Sequence, residues 1–266
     1  MSGVAEVLAR TRAQGRAALV GYLPVGFPDV AGSIEAMVAM VEAGVDVVEI
    51  GVPYTDPLMD GPVIAHAADV ALQQGTRLKD VFTAVRAVAE AGAPALVMTY
   101  WNPVLRYGVD RFAEDLAKAG GSGLITPDLI PDEGADWMAA ADRHGLDHVF
   151  LVAPSSTQQR LRTTALACSG FVYAASSMGV TGARTTVGDA AEVLVTRARQ
   201  MTDLPICVGL GVSTGAQAAQ VAAFADGVIV GSALVRCLSD AVSPAGGLTA
   251  IRTLTAELAA GVRKGN

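Results

Sequence analysis

The chain has 266 residues, 52% hydrophobic and only 17% charged, a composition that supports a large core and excludes a disordered or fibrous protein. A formal net charge of −7 and only three lysines, Lys79, Lys118 and Lys264, supply no basic patch for a nucleic-acid backbone. No uninterrupted apolar run approaches the ~18 residues that a membrane span needs, and the odd, widely spaced Cys168, Cys207 and Cys237 read as reduced, buried thiols rather than a disulfide framework or metal knuckle.

The first residues, MSGVAEVLARTRAQGR, hold no apolar stretch followed by a cleavage site and read as a short amphipathic helix, which fits a cytoplasmic enzyme. From there short β-branched runs alternate with amphipathic segments almost to the end, the pattern of βαβ units and a parallel sheet. Strands are predicted at Ala18–Leu23, Val47–Gly51, Leu96–Tyr100, Gly123–Thr126, His148–Val152, Phe171–Ala174, Ile206–Val208 and Gly227–Val230. Eight strands close an α/β (β/α)8 TIM barrel, and residues 1–266 fit a single barrel domain. Helices over Val30–Ala43 and Leu78–Ala91 stop at Gly44 and at Gly92 before Pro94. The connections after strands two and six are longer than a bare barrel requires, so extra elements are expected there.

Such barrels build their sites at the C-terminal ends of the strands. In Val47–Gly51 the period-two alternation turns Val47, Glu49 and Gly51 to one face, inward in a barrel. An unpaired carboxylate buried there costs several kcal/mol. Glu49 is therefore either a structural glutamate, paired with an arginine or hydrogen-bonded, or a general acid/base whose pKa burial has raised. The loop that follows, Pro53-Tyr54-Thr55-Asp56-Pro57-Leu58-Met59-Asp60-Gly61-Pro62, is too proline-rich to be helical. Asp60 in it either caps the next helix or reaches over the barrel mouth as a second carboxylate.

After strand seven come Gly209-Leu210-Gly211-Val212-Ser213, and after strand eight Gly231-Ser232-Ala233, each opening a helix. Glycines admit close backbone approach and helix N-termini aim N–H groups at anions, so these loops read as a phosphate seat. The stretch lacks the third glycine of a dinucleotide fingerprint. A Schiff-base aldolase is disfavoured because Lys79 and Lys118 fall in helices and Lys264 in the tail. His144 precedes strand five and His148 opens it, so both lie at the wrong end of the barrel for a catalytic metal; His66 reads as structural, and no metal ligand set is assigned. The segment Ser176-Ser177-Met178-Gly179-Val180-Thr181-Gly182-Ala183-Arg184 has the small residues of either a closing lid or a plain surface loop. Tyr173, just before it, is placed to present a phenol to the site.

In order along the chain, GYLPVGFPD, EIGVPYTDPLMDGP, TYWNP, LITPDLI, APSS, GVTGAR, VGLGVS and ADGVIVGSA resemble the tryptophan synthase α-subunit family over nearly the whole length. The resemblance implies a lyase that cleaves indole-3-glycerol phosphate to indole and glyceraldehyde 3-phosphate without a cofactor of its own. By the same comparison Glu49 matches the general acid/base and Asp60 the carboxylate that pairs with the indole N–H. Tyr173 and Thr181 match residues near substrate and lid, Gly182, Gly211, Gly231 and Ser232 the phosphate seat, and Tyr22, Ile64, Leu129 and Leu210 the apolar indole pocket.

The resemblance further implies a pyridoxal-phosphate β subunit that receives indole through a tunnel in an α2β2 assembly, with Pro53, Asp56 and Pro57 on the docking surface. The chain departs from the commoner pattern at Phe27, Met59 and Met178, where an acidic, a small and a polar or basic residue are usual; Met178 bears on how the lid closes. The competing readings are another sugar-phosphate aldolase or isomerase on the same barrel, and a catalytically silent subunit that only regulates a partner.

Overall fold

A computed structural model describes residues 3–175, 189–209 and 211–264. The chain opens with α1 (Gly3–Ala13) and enters the sheet at β1 (Ala18–Pro24), followed by α2 (Val30–Glu42) and β2 (Val47–Gly51). The Asp29 carboxylate starts α2 by accepting the Gly32 N–H at 2.8 Å, which satisfies one of the donors a helix start leaves free. After β2 the prolines hold residues 52–61 out of any helix, and Pro62 then takes the first position of α3 (Pro62–Gln73), where its missing N–H costs nothing.

The chain continues through α4 (Leu78–Glu90), β3 (Ala95–Met98), α5 (Trp101–Tyr107), α6 (Val109–Lys118), β4 (Gly123–Thr126), α7 (Ala135–His144) and β5 (Asp147–Val152). It ends through α8 (Gln158–Ala167), β6 (Val172–Ala175), α9 (Asp189–Arg199), β7 (Ile206–Gly209), α10 (Gly215–Ala222), β8 (Gly227–Val230), α11 (Ser232–Ser239) and α12 (Pro244–Val262). The eight strands pair in parallel and in sequence order, and β8 returns to β1, so the sheet closes into the predicted TIM barrel. The extra helix expected after strand two is α3. The insertion expected after strand six falls at residues 176–188, outside the described residues.

Strand boundaries agree with the sequence reading to within two residues, with one instructive departure. Strand three was expected to run to Tyr100, but β3 stops at Met98 and Tyr100 instead caps α5. The Asp128 carboxylate, from the loop after β4, accepts the Trp101 N–H at 2.9 Å and so anchors the start of that helix.

Two apolar cores result. Inside the barrel, alternate strand residues such as Val20, Val47, Leu96, Ile125, Val149 and Phe171 pack together, and Val4, Val7 and Leu8 of α1 close the same cluster from below. Outside, the opposite strand faces pack on the helices. Phe112 of α6 sits in that outer core with ring centroids 5.6 Å from Phe82 and 6.2 Å from Trp137, edge and tilted contacts that add to area burial.

The lower, N-terminal rim is tied by ion pairs. Arg16 grips Asp46 through two bonds of 2.7 and 2.8 Å, and Asp226 takes Arg12 at 2.9 Å and Arg199 at 3.1 Å. Charges at this end hold the barrel shut and leave its upper end for chemistry.

Candidate active site

The register places Tyr22 of β1 opposite Glu49 of β2, and Glu49 opposite Leu96 of β3. Period-two alternation then turns Tyr22 and Glu49 into the barrel above the apolar plug, as expected. Both line a cavity at the C-terminal end of the strands, with Asp60 and Met59 from the loop after β2 and Ile64 from α3. Tyr173 faces in from β6, while Gly209, Gly211, Gly231 and Ser232 line the same space from the β7 and β8 ends. The two carboxylates and the glycine loops thus share one cavity.

Glu49 is 1% exposed, and its Oε2 has no hydrogen-bond partner among the described residues. No arginine or lysine reaches it there, so among the described residues the structural ion pair entertained from the sequence is not formed. Removal from water, which disfavours the charged form, pushes its pKa from 4.5 to about 8. Asp60 does not cap α3: the cap is Gly61, with no side-chain bond. Instead Asp60 Oδ1 accepts the Tyr100 hydroxyl at 3.1 Å. Burial raises the Asp60 pKa and that hydrogen bond pulls it partly back down.

Two strand-end glycines make room for phenols. A Cβ at Gly51 would collide with the Tyr22 hydroxyl, and one at Gly209 with the Tyr173 hydroxyl, so each ring lies across the neighbouring strand where a glycine leaves a gap. Burial holds both phenols well above their usual range, with the negative charge of Asp60 and Glu49 adding to it at Tyr22 and that of Glu49 at Tyr173. They therefore stay protonated as donors.

The far end of the cavity suits an anion. Ser232 opens α11, and the N–H groups of a helix's first turn have no acceptor within the helix. Gly211 has φ of +71°, a left-handed conformation that favours glycine. No lysine, arginine or histidine is among the described residues that line the cavity; what these residues offer a phosphate is backbone N–H groups and the Ser232 hydroxyl.

Of the other expected site residues, Thr181, Gly182 and Leu210 lie outside the described residues. Leu129 is buried and is not among the described residues that line the cavity. On the docking loop Asp56 is exposed, Pro57 half-buried and Pro53 buried, and Leu58 is 74% exposed. Sequence reasoning missed the apolar wall of Met98, Leu151, Ala175 and Ile229, which the inward register at the strand ends could have identified. It also missed Tyr100, whose only local signal is an aromatic residue after a strand.

Comparison with known proteins identifies the family and the fold. The sequence model of one family, described as "Tryptophan synthase alpha chain", matches residues 8–263. The tryptophan synthase alpha chain of Salinispora arenicola (strain CNS-205) is 64% identical over 263 residues, covering 99% of this chain and 98% of that one. That of Mycobacterium avium (strain 104) is 62% identical, covering 99% and 95%. Among solved structures, a chain of Mycobacterium tuberculosis tryptophan synthase superposes with a TM-score of 0.94 at 60% identity, over 98% of each chain. The tryptophan synthase alpha chain of Legionella pneumophila subsp. pneumophila gives 0.88 at 29% identity, over 98% and 97%. Matched over nearly its whole length in sequence and in fold, the chain belongs to the tryptophan synthase alpha chain family, the lyases that cleave indole-3-glycerol phosphate to indole and glyceraldehyde 3-phosphate.

Proposed function

We propose that Glu49 and Asp60 divide the acid–base work of this cleavage. Glu49 begins protonated, the state that burial favours near neutral pH. It gives its proton to C3 of the indole ring, and the ring becomes a 3H-indolium whose positive charge is shared with N1. The Asp60 carboxylate accepts a hydrogen bond from N1–H and offsets that charge. Glu49, now ionised, takes the proton of the glycerol hydroxyl next to the ring. The bond between the ring and the glycerol carbon breaks, its electron pair returns to the ring, and the carbon becomes the aldehyde of glyceraldehyde 3-phosphate. Glu49 ends protonated, and the indole has served as its own electron sink.

Tyr22 and Ile64 flank the ring in this reading, with Leu129 and Leu210 assigned to the pocket on the sequence alone. Tyr173 donates to the substrate from the opposite wall, and Gly211, Gly231 and Ser232 hold the phosphate. Thr181 and Gly182 are assigned to the substrate side on the sequence alone. The observation that carries the reading is the buried Glu49 carboxyl, its Oε2 without a partner among the described residues, in a cavity whose far end is lined by glycines.

The partner is a tryptophan synthase β subunit carrying pyridoxal phosphate in an α2β2 assembly, and the setting is the cytoplasm. The names of the matched chains and the exposed Asp56 and Leu58 on the loop that also carries Asp60 support a docking role for Pro53, Asp56 and Pro57. Among the described residues no helix is long and apolar enough to cross a membrane.

The test mixes purified protein with indole-3-glycerol phosphate, alone and with a β subunit, and follows indole. Glu49→Gln should lower turnover roughly 10²- to 10⁴-fold, the usual weight of a general acid/base. Near-wild-type turnover in that variant would return Glu49 to a structural role, and absence of indole from the wild-type protein in both arms would remove the enzymatic reading.

A further inference from the structure

A tyrosine hydroxyl has one proton to give and two lone pairs to fill, and the Tyr100 hydroxyl uses all three. It accepts the backbone N–H of Leu58 at 3.1 Å and of Met59 at 2.9 Å, and it donates to Asp60 Oδ1 at 3.1 Å. Tyr100 is itself fixed: it is 5% exposed, Thr99 Oγ1 donates to its carbonyl at 3.1 Å, and Asp128 holds the next residue's N–H. The ring of Tyr54 packs against it with centroids 5.3 Å apart.

We infer that Tyr100 is a positioning residue for the cleavage: its hydroxyl locks the Asp60 carboxylate by one oxygen, leaving Oδ2 aimed at the indole N–H. This rests on the role proposed above for Asp60. The arrangement has two consequences. The same hydroxyl that orients the carboxylate also holds the two residues before it, so the loop and the functional group are set by a single point. A donated hydrogen bond also favours the ionised carboxylate, the form that can offset positive charge on the ring. The groups around Asp60 bear this out: Tyr22 from β1 and Glu49 from β2 share its cavity, with Tyr173 from β6. No cation is among the described residues lining that cavity, so Tyr100 is the polar group that counters the effect of burial.

The test compares Tyr100→Phe, Asp60→Asn and the double variant by steady-state kinetics with indole-3-glycerol phosphate across pH, using the full chain with its β subunit. Tyr100→Phe keeps the ring and removes only the hydroxyl. It should lower kcat at least tenfold with KM changed less than about threefold, because the lost interaction acts on charge that develops in the transition state. The acid limb of its kcat/KM profile should move to higher pH. In the Asp60→Asn background the same change should cost less than about twofold, since both act through one carboxylate.

Tyr54→Phe is the control for mere loosening of the loop, because it keeps the packing on Tyr100 and does not touch Asp60; its acid limb should stay with the wild type. The inference is overturned if Tyr100→Phe leaves the acid limb unmoved, if its kcat loss multiplies in full with that of Asp60→Asn, or if Tyr54→Phe moves the limb equally. Unchanged turnover in Asp60→Asn alone would instead remove the reading of Asp60, and the inference with it.

Discussion

Glu49 carries a stability cost that can be read without measuring turnover. Its ordinary pKa of 4.5 describes the unfolded chain, whereas burial places it at about 8 in the folded protein. Between those values the native state holds a proton that the unfolded state has released, so the unfolding free energy falls as pH rises. The slope is about 1.4 kcal/mol per pH unit. Relative to acid conditions, the folded state is therefore penalised by about 3 kcal/mol at pH 7 and by about 5 kcal/mol above pH 8, with a difference of about 3.5 between the two pKa values setting the ceiling. Glu49→Gln has no such proton to lose.

The advantage of Glu49→Gln over wild type in urea-unfolding free energy should thus widen steadily from about pH 5 to pH 8 and then level off. Comparing the difference across pH, rather than its absolute value at one pH, cancels whatever the buried Gln amide costs in its own right. A difference that stays flat over that range would show that Glu49 titrates near its ordinary value, and the claim that burial keeps it protonated would fail.

The wild-type kcat/KM with indole-3-glycerol phosphate should fall as pH rises past about 8, where Glu49 loses the proton it must first donate; a profile still flat at pH 9 would contradict this. Gly51→Ala places a methyl group against the Tyr22 hydroxyl and should cost about 1–3 kcal/mol in thermal unfolding and lower turnover through the displaced ring; wild-type values in both assays would show that the ring can move freely. Phe112→Ala should cost about 3–5 kcal/mol by emptying the aromatic cluster of the outer core while leaving KM near wild type, since Phe112 is remote from the cavity.

What the sequence made legible follows from how local each signal is. The inward placement of Glu49 needs only five residues of period-two alternation, and the barrel itself needs only repeated strand and helix patterns. The two roles left open for Asp60 could not be separated that way. The choice depends on Tyr100, forty residues onward, whose hydroxyl draws the carboxylate away from the helix start. Tyr100 was hidden for the same reason: Met98, Thr99 and Tyr100 continue an extended run, and the helix that begins after them is anchored by Asp128 from another loop. Leu129 was assigned by resemblance, and it is not among the described residues that line the cavity. Residue type and chain order carried the chemistry, while the contacts that aim it come from partners far apart in sequence.

The seal formed by Val4, Val7 and Leu8 beneath the barrel bears on traffic as much as on stability. With its floor closed by those side chains, the cavity is entered and left at the C-terminal end of the barrel, so that end is the doorway for substrate, indole and triose phosphate alike. Whatever stands at that doorway, a closing segment or a docked protein, governs throughput even when it touches none of the reacting atoms.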